Sequence, residues 1–271
     1  LKLKPNGRVW DIYWRGRWQA QTHDWNDFRA QQPERLYSVG SGPSMAEQNL
    51  APLAQSPAVL LNGAISLVLN GVVPEPFAVM VEDARFILER ADMLRQLPAG
   101  TPLCLVGPAL QALGEVDPGL YSRFKLYFMQ GFDSHYGEAK RILTEADAPF
   151  YRTDGQLMLS LDLSIGHFGC GTVMYSGVQM GFHVRAKQLC LVGFDMTNLN
   201  QPRFYETAQN AAWTGLAKAY QNRILPAFEL AVKTANEFGM SIENCSHTSI
   251  LPTELLPFND CLMPAANRNL L

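Results

Sequence analysis

Apolar and polar positions divide the chain into short aliphatic runs separated by amphipathic or glycine-bearing stretches. The runs at 35–39, 59–61, 77–81, 102–106, 124–128, 188–192 and 240–245 have the length and composition of buried strands. Helical spacing covers 89–97, a stretch opening near Gly171, and 209–238, where Pro226 predicts a break. Strands alternating with helices predict an α/β fold: a Rossmann-like, mostly parallel sheet with helices on both faces, over 35–271. Ahead of it, 7–21 alternates apolar and polar residues around Arg15 and Gly16, which predicts an N-terminal β-hairpin appendage and linker within 1–34. Periodicity weakens over 130–161, the expected place of a lid or insertion.

In such a sheet the carboxyl ends of the strands face one crevice. The first strand runs into Gly40, Ser41, Gly42, Pro43 and Ser44. Glycines let backbone approach a phosphate, proline suits a first helical turn, and the freed N–H groups favour an anion. The same turn serves equally as a structural corner. Asn62 follows the second strand and could meet a base or ribose. Asp83 and Arg85 follow the third and could hold a sugar or phosphate, or cap a helix.

The richest stretch is DLSIGHFGCGTVMYSGVQMGFHVRAKQLCLVGFD, 162–195. Its loop carries Asp162, His167, Cys170, Gly171 and Thr172 and opens a helix. The strand after that helix ends in Gly193, Phe194 and Asp195. A loop with Arg203, Tyr205 and Glu206 follows, and His247 lies on the tip of the last strand. Such loops carry function more often than the strands they join.

Charge and cysteine usage narrow the chemistry. A formal net charge of −3 argues against a general attraction to nucleic acid, so an anionic ligand must be held locally. The five cysteines show no spacing that suits a metal, and Cys104 and Cys190 sit in apolar runs as small hydrophobes. Neither a membrane-spanning run nor a signal-peptide pattern is visible, so a soluble, cytoplasmic protein is expected. Trp10, Trp14 and Trp18 with Arg8, Arg15 and Arg17 form either a basic aromatic surface for a membrane or sugar, or a hairpin packed on the main domain.

Taken in order, SVGSGPS at 38–44, Asn62 with Gly63, DLSIG at 162–166, the small residues of 171–181, LVGFD at 191–195 and PRFYE at 202–206 resemble the bacterial lipopolysaccharide-core transferases of 3-deoxy-D-manno-octulosonic acid (Kdo), of the third-Kdo type. The frame is similar to that of the bacterial CMP-sialic acid transferases, and the match spans about 35–249. The resemblance implies a metal-independent glycosyltransferase of GT-A-variant type. CMP-Kdo would be the donor, a lipopolysaccharide inner-core or lipid A sugar the acceptor, and no cofactor would be required. It places the donor nucleotide on Gly40 to Ser44 and Asn62, and the donor phosphate or carboxylate on Cys170, Gly171 and Thr172. Tyr205 would assist the departing CMP phosphate, and Asp83, Arg203 and His247 complete the expected donor site. Work at the inner face of the inner membrane would give the Trp/Arg hairpin a docking task.

One departure from the frame concerns the base. The sialic acid transferases carry a histidine base after the G-x-D strand, whereas 207–223 contains none. The acceptor proton is therefore expected to go to Asp162, His167, Asp195, Glu206 or His247, with Asp162 and His167 favoured by their place before the helix. Three alternatives remain at this level: transfer of another CMP-linked nonulosonic acid, an ATP-dependent pterin pyrophosphokinase-like activity using the weak acidic pair Glu82 and Asp83, and a noncatalytic nucleotide- or glycan-binding module.

Overall fold

The computed structural model describes residues 1–197 and 216–264. Strands β1 (Lys2–Asn6), β2 (Val9–Trp14) and β3 (Arg17–Gln21) pair antiparallel in sequence order. The main sheet comprises β4 (Arg35–Val39), β5 (Ala58–Leu61), β6 (Ala78–Val81), β7 (Pro102–Val106) and β8 (Lys125–Met129). After a small hairpin of β9 (Tyr151–Thr153) and β10 (Met158–Ser160), β11 (Gln188–Val192) and β12 (Ser241–Asn244) complete it. The order is β12-β11-β4-β5-β6-β7-β8, and every neighbouring pair is parallel. The chain moves outward from β4 to β8, then returns to the other side of β4 with β11. That reversal opens the crevice between the tips of β4 and β11.

Side-chain alternation sends the two faces of the sheet into two cores. Tyr37, Val39, Leu60 and Val81 lie under α1 (Ala84–Glu89) and α2 (Gly107–Val116). Leu36, Leu61, Met80 and Leu191 lie under α3 (Met174–Val184) and α4 (Leu225–Glu237). Helices therefore cover both faces, as the strand pattern predicts. Strands buried on both sides cannot show two-residue alternation, which is why they read as continuous apolar runs.

The amino-terminal hairpin is present as β2 and β3 about Arg15 and Gly16. Gly7 at φ 64° turns an additional strand, β1, back onto β2, so the appendage is a three-stranded sheet. Its tryptophans do not form one surface. Trp10 packs edge-on to Phe128 at 5.4 Å, and Trp14 is buried beside Tyr121. Only Trp18, at 58% exposure, faces solvent. Packing on the main domain therefore accounts for two of the three rings.

The helical stretch expected after Gly40 to Ser44 is a single 3₁₀ turn, Pro43–Glu47. The break expected near Pro226 is present as a π turn, Tyr220–Ile224, leading into α4 with Pro226 in its first turn. Proline lacks the N–H that would pair with the carbonyl four residues back, and the wider turn absorbs that loss. Within 130–161, β9 and β10 pack against α4, and Arg152 reaches Glu237 at 3.7 Å.

Candidate active site

The two walls of the crevice are joined by Asp195. Its Oδ2 accepts from the Ser44 backbone N–H at 2.7 Å and its Oδ1 from the Ser44 hydroxyl at 2.5 Å. The Gly42 N–H donates to the Gly193 carbonyl at 3.0 Å. A Cβ on Gly42 would stand 2.5 Å from Asp195 Oδ2, and one on Gly40 would stand 3.0 Å from the Gly193 carbonyl oxygen. The glycines of this turn are therefore required by the approach of the β11 tip. Ser41 and Pro43 are half-buried within the same turn. Asp195 is 2% exposed with both oxygens engaged by Ser44, so the structure favours a latch over its place among the candidate bases.

Two further acidic candidates are engaged by their own surroundings, Asp83 as a helix cap, one of the two roles expected of it. Asp162 lies against the last turn of α3: Arg29 Nη2 is 2.7 Å and His183 Nδ1 3.3 Å from its carboxylate, and Ser164 donates to Oδ1 at 2.6 Å. Burial alone would raise this carboxyl, but the bonds from His183, Ser164 and Arg29 prevail and hold it well below the usual carboxylate range. His183 lies nine residues after Met174, about 14 Å along the helix from its start. Asp162 thus braces the far end of α3. Asp83 caps α1, accepting from the Arg85 N–H at 2.9 Å, and pairs with the Arg85 guanidinium at 2.9 Å. That carboxylate is engaged by its own helix.

What the fold does gather lies at the start of α3. Thr172 Oγ1 accepts from the Met174 N–H at 3.3 Å, and burial pushes the Cys170 thiol up to about 12, which makes it a poor nucleophile. Gly171 sits at φ 103°, with the Arg223 guanidinium 3.1 Å from where its Cβ would lie. Arg223 belongs to the π turn, so the irregularity near Pro226 is what brings a cation to the helix start. A cation beside the positive end of a helix is unfavourable unless an anion lies between them.

Glu82 follows β6 on the face of Met80, so its carboxyl turns toward α3, where the Ser176 hydroxyl donates to Oε1. Burial pushes this carboxyl above its ordinary value, and the nearby His167 imidazole and the Ser176 bond partly oppose the rise. His167 Nδ1 is 3.0 Å from the Gln130 carbonyl oxygen. A carbonyl only accepts, so Nδ1 carries the proton and Nε2 is left bare in the neutral ring.

Orphaned polar atoms line the same strand ends. Asn62 Oδ1, Thr197 Oγ1 and His247 Nδ1 are buried with no hydrogen-bond partner among the described residues. Asn62 and Met196 hold φ of 47° and 56°, a region that non-glycine residues enter rarely and that clusters at binding sites. His247 Nε2 is 3.0 Å from Glu47. Buried polar atoms without partners beyond the strand ends can meet the donors and acceptors of a ligand.

Arg203, Tyr205 and Glu206 lie outside the described residues. Ser176 and Arg223 are not expected at the site from sequence, and Glu82 is expected there only as half of a weak acidic pair with Asp83. The signal for Glu82 is its place at a strand tip, and Arg223 has none, being brought in by the π turn. The fold also unites three cysteines that are scattered in sequence. The sulfurs of Cys190, Cys245 and Cys261 lie within 4.8 Å of one another, beside Tyr37 and on the sheet face opposite α3.

Residues 28–261 match the family model described as 3-deoxy-D-manno-octulosonic acid transferase WaaZ. The chain belongs to this family of Kdo transferases. A "Probable 3-deoxy-manno-octulosonic acid transferase" of Salmonella typhimurium is 24% identical over 230 residues, covering 78% of this chain and 83% of that protein. Its namesake in Escherichia coli is 21% identical over 234 residues, covering 80% of each. Among solved structures, the sialyltransferase CST-II, crystallised with a trisaccharide acceptor and CMP, aligns over 83% of this chain and 85% of its own at 11% identity and a TM-score of 0.40. This Kdo-transferase family member is accordingly a glycosyltransferase on a Rossmann-like parallel sheet.

Two substitutions separate latch and brace from chemistry. Gly42→Ala keeps allowed backbone angles, φ −65° and ψ 154°, but collides with Asp195. It is expected to lose about 1–3 kcal/mol in urea unfolding, with an unchanged midpoint contradicting the latch. Asp162→Asn is expected to lose about 2 kcal/mol of stability while the transfer rate of the folded fraction stays near wild type. The lowered Asp162 value predicts the sign of its pH dependence: its stabilisation is present above the unfolded-state carboxylate pKa and fades as pH falls through the folded one, a fade absent from Asp162→Asn.

Proposed function

We propose that this chain transfers Kdo from CMP-Kdo to a sugar of the lipopolysaccharide inner core or lipid A, without a metal ion. The observation that carries the reading is the cation of Arg223 facing the amino end of α3 across Gly171. A sugar phosphate leaving group gathers negative charge as its bond breaks, and a guanidinium beside the positive end of a helix dipole stabilises that charge where it develops. Of the carboxylates expected at the strand tips, Asp195 and Asp83 are engaged by Ser44 and Arg85, which leaves no converging acidic pair among the described residues to hold a divalent cation. Charge neutralisation by Arg223 and the helix takes that place in the proposal.

The half-buried turn at 41–43 and Asn62, whose carbonyl oxygen lacks a partner among the described residues, would take the nucleotide. A cytosine offers an exocyclic amine that such an oxygen can accept from. The proton of the acceptor hydroxyl must pass to a group in the crevice, and the neighbouring His167 and Glu82 are the candidates in this reading.

A lipid-linked acceptor would bring the enzyme to the inner face of the inner membrane. No described helix is long and apolar enough to cross a membrane. The outer face of the amino-terminal sheet, with Trp18, Arg15 and Arg17 exposed, suits peripheral docking on an anionic surface.

Calorimetric titration tests the donor. CMP is expected to bind with no change on adding EDTA, more tightly than UMP, ADP or ATP, and Arg223→Ala to weaken it by about tenfold or more. Preference for ATP with magnesium would contradict the reading. In vesicle sedimentation, anionic lipid is expected to retain the protein and Arg15→Glu with Arg17→Glu to release it; equal binding to neutral vesicles would remove the docking role.

A further inference from the structure

We infer that Glu82 is the general base that takes the proton from the acceptor hydroxyl. The inference rests on the Kdo-transfer reading of the crevice and assigns the step that no residue of 207–223 supplies as a histidine. Three independent features converge on Glu82. It occupies a strand tip at the carboxyl end of the sheet, where its carboxyl continues the α3 face of β6. It is half-buried, so it is reachable from the crevice yet removed from bulk water. Its Oε1 is fixed by the Ser176 hydroxyl from the first turn of α3, the same helix start that faces Arg223. Base and leaving-group cation are thus carried by adjoining parts of one wall.

Among the described residues the competing groups hold partners of their own, Glu206 lying outside them. Asp195 and Asp162 are held by Ser44 and by Arg29 with His183. His247 contacts Glu47 at the opposite edge of the crevice. His167 remains, but its interaction with Glu82 favours the charged carboxylate, which fits a partner that keeps the base ionised. Desolvation raises Glu82 above an ordinary glutamate, which brings its basicity closer to neutral pH and strengthens it as a proton acceptor.

The step balances as follows. The acceptor oxygen forms a bond to C2 of Kdo as the bond from C2 to the CMP phosphate oxygen breaks, its electron pair leaving with CMP. The hydroxyl proton passes to a Glu82 carboxylate oxygen and is released to solvent after the product departs. Ser176 acts as a positioning residue through its hydrogen bond.

The pH profile of kcat/KM reads the base directly. The groups facing Glu82 from its neighbours are His167 and Cys170 on the loop before α3, with Arg223 beyond them on the π turn and Asp83 with Arg85 adjacent in sequence. Since the carboxylate form is the active one, the rate rises with pH through the Glu82 pKa. Glu82→Gln is expected to lower kcat by about 100-fold or more and to abolish that acid limb, while CMP affinity changes by less than about threefold. Ser176→Ala removes a bond that stabilises the charged form, so it is expected to move the limb to higher pH. Formate is expected to restore rate to Glu82→Ala and not to Glu82→Gln. Retention of the limb in Glu82→Gln, its loss instead in His167→Gln, or a Glu82→Gln rate within about threefold of wild type would overturn the assignment. Absence of Kdo transfer by the wild-type protein overturns the underlying reading as well, which separates that failure from a failure of Glu82 alone.

Discussion

The Asp195 latch is the contact on which the crevice depends. In a sheet that grows in two directions from one strand, the loops beyond the two central tips here share a backbone bond, Gly42 N–H to the Gly193 carbonyl, and depend on side chains for the rest. Here a carboxylate at the end of β11 accepts two bonds from Ser44, beyond the end of β4. Hydrogen bonds to an ionised acceptor are stronger than neutral ones, and this carboxylate is sealed from water. The close approach leaves no space for a side chain at Gly40 or Gly42. Ser246 joins the same contact at 3.3 Å from the Ser44 hydroxyl and also accepts from the Phe194 N–H, so the tip of β12 is tied in as well. Three strand ends are thereby held in one arrangement before any ligand arrives, and preorganisation of this kind is what makes fixed charges effective in catalysis.

The strands were legible in the sequence because burial on both faces writes them as uninterrupted aliphatic runs. β4, β7 and β11 begin and end where those runs do. Position in the sheet also made the crevice legible, since every strand end in a parallel sheet faces the same way. Roles within it were less so. A carboxylate at a strand tip looks the same in sequence whether it latches a turn as Asp195 does, caps a helix as Asp83 does, or points inward as Glu82 does. The difference lies in which face of the strand continues past its last residue, and one position separates Asp83 from Glu82. Asp162 is hard to place from sequence because the loop before α3 folds back along the helix toward Arg29 and His183, contacts more than a hundred residues and about twenty residues away in sequence.

Arg223 and the thiol trio show the other limit. Arg223 reaches the start of α3 through a π turn, and such a turn has no periodicity to betray it. Cys190, Cys245 and Cys261 meet because β11, β12 and the closing segment are adjacent in space, while their sequence spacing matches no metal or redox pattern. The tryptophans of the first three strands illustrate the same point: alternation identified the strands, but only the packed structure separates Trp10 and Trp14, which belong to the core, from Trp18, which does not.

In the proposed reaction fixed charge and dipole, rather than a bound metal, carry a CMP-linked Kdo to a core acceptor. Its most direct test is mass spectrometry of a defined inner-core acceptor incubated with the protein, CMP-Kdo and excess EDTA. The account predicts an acceptor heavier by one Kdo residue, formed with release of CMP and at the same rate with or without the chelator. Transfer that stops on chelation and returns with magnesium or manganese would contradict it.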